Sequence, residues 1–287
     1  MKRFLILPLV FMTIALQAQY FEMGLQLGGT NYVGDLSFNS SKLYLKETRF
    51  GAGLFGRYNF SDLFAVKLAA NFGNIGGTDA NVNIEEIRQR NLNFRTPLFD
   101  FALTGEVNIP GFQPYNLNRP ISGYLFAGIG AVNFQPKGFY QGAWTNLQPL
   151  GTEGQGLEGG DGSLYGRWAL TIPFGVGFKY AVFDKLTLGL EIGARKTFTD
   201  YLDDVSGNYA DIGLLLAERG EVAAALSNRT GEYLNSEPLD LTGQARGDQV
   251  NSDWYFIFGL TVSYNFLDNG LSGSRGRNKR RQGCQTF

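Results

Sequence analysis

WYFIFGLTVSYNF, residues 254–266, decides the fold class. Trp254, Phe256, Phe258, Leu260, Val262, Tyr264 and Phe266 fall on one parity, and Tyr255, Ile257, Gly259, Thr261, Ser263 and Asn265 on the other. A period of two belongs to an extended strand, whose successive side chains point to opposite faces. One face is large and apolar, the other mostly small or polar, and the segment closes on an aromatic residue. That is the pattern of a strand whose outer face meets lipid.

Seven earlier segments repeat it. Apolar parities run through Phe21, Met23, Leu25 and Leu27; Phe50, Ala52, Leu54 and Tyr58; Phe64, Val66, Leu68 and Phe72; and Phe99, Phe101, Leu103 and Val107. The fifth segment, residues 122–133, is the least regular, with Leu125, Ala127, Ile129 and Ala131 assigned to lipid and Tyr124, Phe126, Gly128 and Gly130 to the interior. The sixth sets Leu170, Ile172, Phe174, Val176, Phe178 and Tyr180 against Thr171, Pro173, Gly175, Gly177 and Lys179; the seventh sets Leu188, Leu190 and Ile192 against Gly189, Glu191, Gly193 and Arg195.

The expectation is all-β: an eight-stranded antiparallel transmembrane outer-membrane β-barrel over residues 19–267, with long extracellular loops, one carrying a short helix, and a periplasmic C-terminal tail. A soluble lipocalin-like barrel would reverse the faces, apolar inside and charged outside. Connections at 59–62, 109–120 and 183–185 are short and assigned to the periplasm. Those at 30–49, 73–97, 135–167 and 197–252 are long and assigned to the outside.

Lys2 and Arg3 precede an apolar run from Phe4 to Leu16 and the small residue Ala18, which predicts a signal peptide over residues 1–18. The composition, with 39 Gly, 24 Phe and 14 Tyr and a formal charge of -1, points away from helices and from nucleic acid.

The inward parity collects Glu22, Gln26, Arg57, Lys67, Asp100, Glu106, Lys179, Glu191 and Arg195. Eight strands leave room for side chains and no aqueous channel, so a network of paired charges filling the lumen is expected, ahead of a narrow ion path. The chain has no histidine, whereas small outer-membrane acyl transferases, lipid deacylases, phospholipases and omptin proteases use one as base. No catalytic or cofactor-binding residue is assigned, and one Cys with no His excludes a zinc site. Asp200, Asp203 and Asp204 could offer oxygens to calcium, but their spacing favours a solvated loop face. Gly159, Gly160, Asp161 and Gly162 lack the lysine and helix of a phosphate loop. The segment from Asp211 to Ser227 is helix-prone and is expected to cap the mouth, with partner docking as the alternative.

The tail, residues 268–287, concentrates Arg275, Arg277, Lys279, Arg280 and Arg281 and ends near Cys284, the one cysteine. It reads either as a disordered strip resting on anionic groups or as a docking tail. An unpaired cysteine in an exported chain is a free thiol or half of an intermolecular disulfide, and the expectation is a link to a periplasmic or lipoprotein partner.

Three segments resemble a known family: Asn31-Tyr32-Val33-Gly34-Asp35-Leu36, the run Thr199-Asp200-Tyr201-Leu202-Asp203-Asp204-Val205-Ser206-Gly207-Asn208-Tyr209, and the basic tail with its cysteine. Together they resemble the PorG-like barrels of the type IX (Por) secretion system of Bacteroidota. The resemblance implies an outer-membrane component associated with periplasmic rings of a PorK-like lipoprotein and a PorN-like protein, serving protein export and, in some members, gliding motility. The competing readings are a free-standing narrow pore and a surface adhesin acting through its loops.

Overall fold

The computed structural model describes residues 20–37, 45–114, 120–157, 162–183 and 185–266. The signal peptide, the basic tail with Cys284, and residues 159–161 of the glycine-rich run lie outside them.

Eight strands close into a barrel: β1 (Tyr20–Val33), β2 (Arg49–Asn59), β3 (Phe64–Thr78), β4 (Asn93–Ile109), β5 (Ile121–Phe134), β8 (Trp168–Phe183), β9 (Leu186–Thr197) and β10 (Trp254–Phe266). Every adjacent pair is antiparallel, and β10 returns to β1, from Phe21 opposite Phe266 to Val33 opposite Trp254. Closure leaves the barrel no free edge. A short hairpin, β6 (Lys137–Tyr140) and β7 (Ala143–Asn146), hangs from the top of β4 through the pair Arg95 and Lys137.

The parity read from the sequence is the parity of the wall. Met23, Leu25, Leu54, Leu68, Phe101, Leu170 and Leu260 stand exposed outside, while their neighbours are buried inside. The irregular fifth segment follows suit, with Leu125 and Ile129 outside and Tyr124 and Phe126 inside. An apolar exterior around a charged interior is the arrangement of a barrel that spans an outer membrane, because lipid covers what water would reject.

Three strands, β1, β3 and β4, are longer than the pattern indicated. β3 has 15 residues and β4 has 17, where about 9–11 cross a membrane. The connections expected at 30–49 and 73–97 are therefore partly strand: β1 continues to Val33, β3 to Thr78, and β4 begins at Asn93. Gly73, Gly76 and Gly77 break the apolar alternation in the sequence, and a proline such as Pro97 is uncommon inside a strand. Pro97 nevertheless pairs with Asn74, one position beyond the last β5 partner at Leu98, where a residue without an N–H is tolerated.

Where one short helix is expected, the described residues hold four. α1 (Glu85–Arg90) lies in the second loop, and α2 (Ile212–Arg219), α3 (Glu221–Ser227) and α4 (Thr230–Leu234) lie in the last. Asp211 caps α2 by accepting the Leu214 amide at 2.8 Å. Gly220, at φ 86° and ψ 177°, ends α2 and starts α3, a backbone region open essentially to glycine alone. Both helices pack within the cap: Leu215, Ala223 and Leu226 are buried, and a Cβ on Gly138 of β6 in the neighbouring loop would meet Leu226 at 3.0 Å.

Candidate functional site: the filled lumen and its cap

The eight inward charges are all buried. Register places Glu22 opposite Arg57 and Arg57 opposite Lys67, so two cations stand side by side and need shared anions. Glu106 supplies the centre: Arg57 Nε lies 2.8 Å and Lys179 Nζ 2.8 Å from its Oε2, with Lys67 Nζ 3.7 Å from its Oε1. Glu22 takes the other arm of Arg57 at 2.6 Å, and Glu191 takes Lys67 at 2.5 Å and the Tyr124 hydroxyl at 2.6 Å. Asp100 accepts from Tyr255 and Asn71, each at 2.7 Å, and faces Arg195 at 3.8 Å. Phe55, Phe126 and Tyr124 lay their rings over Arg57, Lys67 and Lys179. Burial of charge on this scale is tolerated because each has an opposite charge within 4 Å, although Arg195 Nε and Nη1 find no hydrogen-bond partner among the described residues.

The ends are closed as well. At the short-turn end, Tyr20, Phe112 and Ala181 form a small apolar floor. Phe112 comes from the 109–120 connection, held by its amide donating to the Asp62 carbonyl at 2.9 Å and by the Gln113 to Asp62 side-chain contact. At the other end Tyr32, Leu36, Ile75, Phe94, Leu202 and Val205 belong to one apolar cluster.

Above that cluster sits a second set of charges. Asp203 and Asp204 are buried and partnered, which corrects their reading as a solvated face. Leu202 is at 0 % exposure in the core beside them, so the segment is folded down onto the barrel. Asp204 accepts from Thr152 at 2.6 Å and Tyr165 at 2.5 Å. Tyr165 also stacks on Tyr201 at 4.4 Å. Arg246 reaches Glu153 at 3.0 Å and the Asp204 carbonyl at 2.5 Å, while Glu153 accepts the Ser206 and Gly207 amides. Arg90 grips Asp79 through two bonds of 2.8 and 2.9 Å. Tyr32 Oη lies 2.6 Å from Asp203 and 2.7 Å from Asp253.

Burial pushes the carboxyls here upward: Asp204 to about 6, against the opposing pull of Arg246, Asp200 to about 8, and Asp203 and Asp253 well above the carboxylate range. Polar partners lie against the oxygens of Asp203, Asp204 and Asp253, and among the described residues no group of three or more ligating side chains is arranged to hold a metal ion. Sequence reading missed Arg246, Glu153, Arg90, Asp79 and Asp253 here.

A family model described as a domain of unknown function, DUF6089, matches residues 1–148 and 155–215. The chain belongs to the DUF6089 family. The DUF6089 match takes in Tyr32, Asp203 and Asp204, passes over residues 149–154 with Glu153, and stops before Arg246 and Asp253. Among curated proteins nothing matches this DUF6089 chain. Solved structures similar to it include the attachment invasion locus protein Ail of Yersinia pestis, at 10% identity and TM-score 0.37 over 86% of this chain and 97% of that one. Neisserial surface protein A, at 8% identity and TM-score 0.37, covers 86% and 97%. OprG from Pseudomonas aeruginosa, at 9% identity and TM-score 0.37, covers 87% and 96%.

Proposed function

We propose that this outer-membrane barrel is a non-enzymatic scaffold of the type IX protein secretion machinery, holding a PorK-like lipoprotein and PorN-like ring protein at its periplasmic face. The observation that carries the scaffold part is the filled lumen: four buried acids against four buried bases, with an apolar floor under them, give a wall to hold on to rather than a conduit. A narrow pore is the weaker reading for the same reason. The secretion part rests on the resemblance carried by residues 31–36, residues 199–209 and the tail with Cys284. The partner contacts fall to Arg275, Arg277, Lys279, Arg280, Arg281 and Cys284. The adhesin reading draws on the built cap, whose helices and hairpin present Trp144, Leu216 and Tyr233 to the outside.

The test is a pull-down from native membranes, reduced and non-reduced, beside Cys284→Ser and a deletion of residues 272–287. The scaffold reading expects a co-purifying periplasmic lipoprotein, a high-mass adduct lost in Cys284→Ser, and failed export from the deletion although the barrel still assembles. Normal export from the deletion with no co-purifying protein sinks it; a binding defect confined to loop variants favours the adhesin.

A further inference from the structure

The contact between Tyr32, Asp203 and Asp253 has one proton too few. All three side chains are buried, and the phenol oxygen lies 2.6 Å from Asp203 Oδ2 and 2.7 Å from Asp253 Oδ1. A phenol donates once, so the second contact needs a hydrogen from the other carboxyl. The outer oxygens are committed: Asp203 Oδ1 accepts the Val205 amide at 3.0 Å and Asp253 Oδ2 the Leu202 amide at 2.8 Å. Gly34 sits so close that a Cβ there would lie 2.0 Å from both the Tyr32 and the Asp253 oxygens.

Among the described residues the surroundings supply no spare cation. Asp35 of the first loop and Asp200 of the same segment face the pair and are acidic, with Asp248 and Glu153 acting on them in turn. Arg90 of α1 is within electrostatic reach of Asp203, but its guanidinium is spent on Asp79 and on the Asp35 and Arg246 carbonyls. Arg246 is spent on Glu153, Asp204 and the Ser227 carbonyl. Two adjacent carboxylates with no countercharge among the described residues do not both stay ionised.

We propose that the loop cap is latched by one proton shared between Asp203 and Asp253 through Tyr32, and that losing this proton on the alkaline side releases residues 199–209 from the ends of β1 and β10 while the barrel below stays closed. The same latch joins both ends of the last loop, because Asp253 also takes the Thr197 hydroxyl on its carbonyl at 2.7 Å and donates its amide to Thr199. Burial raises both carboxyls, and neighbouring Asp200 is pushed up to about 8. A carboxyl raised on folding holds a proton that the open loop gives up. The latch is therefore complete below the ordinary range near pH 4 and weakens as pH rises above it.

Hydrogen exchange on the full barrel in phospholipid vesicles, from pH 5 to pH 10 with the intrinsic rate divided out, reads the latch directly. Protection of 199–209 should fall at least tenfold while β3 and β4 stay unchanged. Asp203→Asn carries its hydrogen permanently and should keep that protection at pH 10; Asp253→Asn is the second route should the first fail to fold. Tyr32→Phe, which sets the two acids face to face, should lose protection at lower pH. A flat wild-type profile, an unchanged profile in a folded Asn variant, or alkaline loss restored by added calcium would each overturn the shared proton.

Discussion

The lumen and the cap bury charge in opposite ways. Inside the barrel four acids meet four bases, with Glu106 between Arg57, Lys67 and Lys179. In the cap Asp35, Asp79, Glu153, Asp200, Asp203, Asp204 and Asp253 share Arg90 and Arg246. Balanced charge makes a seal that needs nothing further from its surroundings. Acid in excess leaves a structure whose closure depends on hydrogens borrowed from hydroxyls and from water. One molecule thus carries a permanent stopper and, above it, a conditional one.

Breaking the lumen side of that comparison should have the largest effect. Glu106→Leu strips Lys179 of its carboxylate and leaves Arg57 and Lys67 with Glu22 and Glu191 alone, and removing one partner of a buried pair costs about 3–5 kcal/mol. Loss of the folded, heat-modifiable band on a gel and an earlier urea midpoint are the expected result. The equivalent break in the cap is Arg246→Met, which frees Glu153 and Asp204 at about 3 kcal/mol. Here the barrel should survive, with hydrogen exchange rising only in residues 150–157 and 199–209. Gly34→Ala forces a methyl onto the Tyr32 and Asp253 oxygens and should cost the cap about 2 kcal/mol, as overpacking commonly does. Gly220→Ala is the mildest, on the order of 1 kcal/mol for its backbone region, visible as fraying of α2 and α3 with the lumen untouched. A cap variant that unfolds the whole barrel would merge the two regions into one cooperative unit.

The same division runs through what the sequence disclosed. Strand period and inward parity depend only on neighbours two residues apart, so the eight lumen charges and even the uncertain orientation of Tyr124 and Phe126 could be picked out residue by residue. The cap depends on partners far apart in the chain. Asp204 meets Arg246 across 42 positions and Arg246 meets Glu153 across 93, and nothing local to Asp203 announces that Tyr32 and Asp253 will meet beside it. Phe112 was invisible for a related reason: the connection at 110–120 looks like a turn until Phe112 is seen folded into the floor. Gly220 was the one missed signal that lay in plain sight, a glycine in the middle of a helix-prone run where a terminus is the ordinary use.

Closure of the last strand on the first has a consequence for the order in which the molecule comes into being. The pairs Phe21 with Phe266 and Val33 with Trp254 join the two ends of the barrel across almost the whole described chain. Until β10 arrives, β1 and β9 are raw edges, and the half-built wall holds charges such as Glu22 and Arg195 without the Ser263 and Tyr255 neighbours that complete their shells. Contacts this distant in sequence form slowly and reward nothing before they form. Completion is therefore all-or-none, and the thirteen residues first quoted act as the clasp that turns an open, sticky ribbon into a finished cylinder.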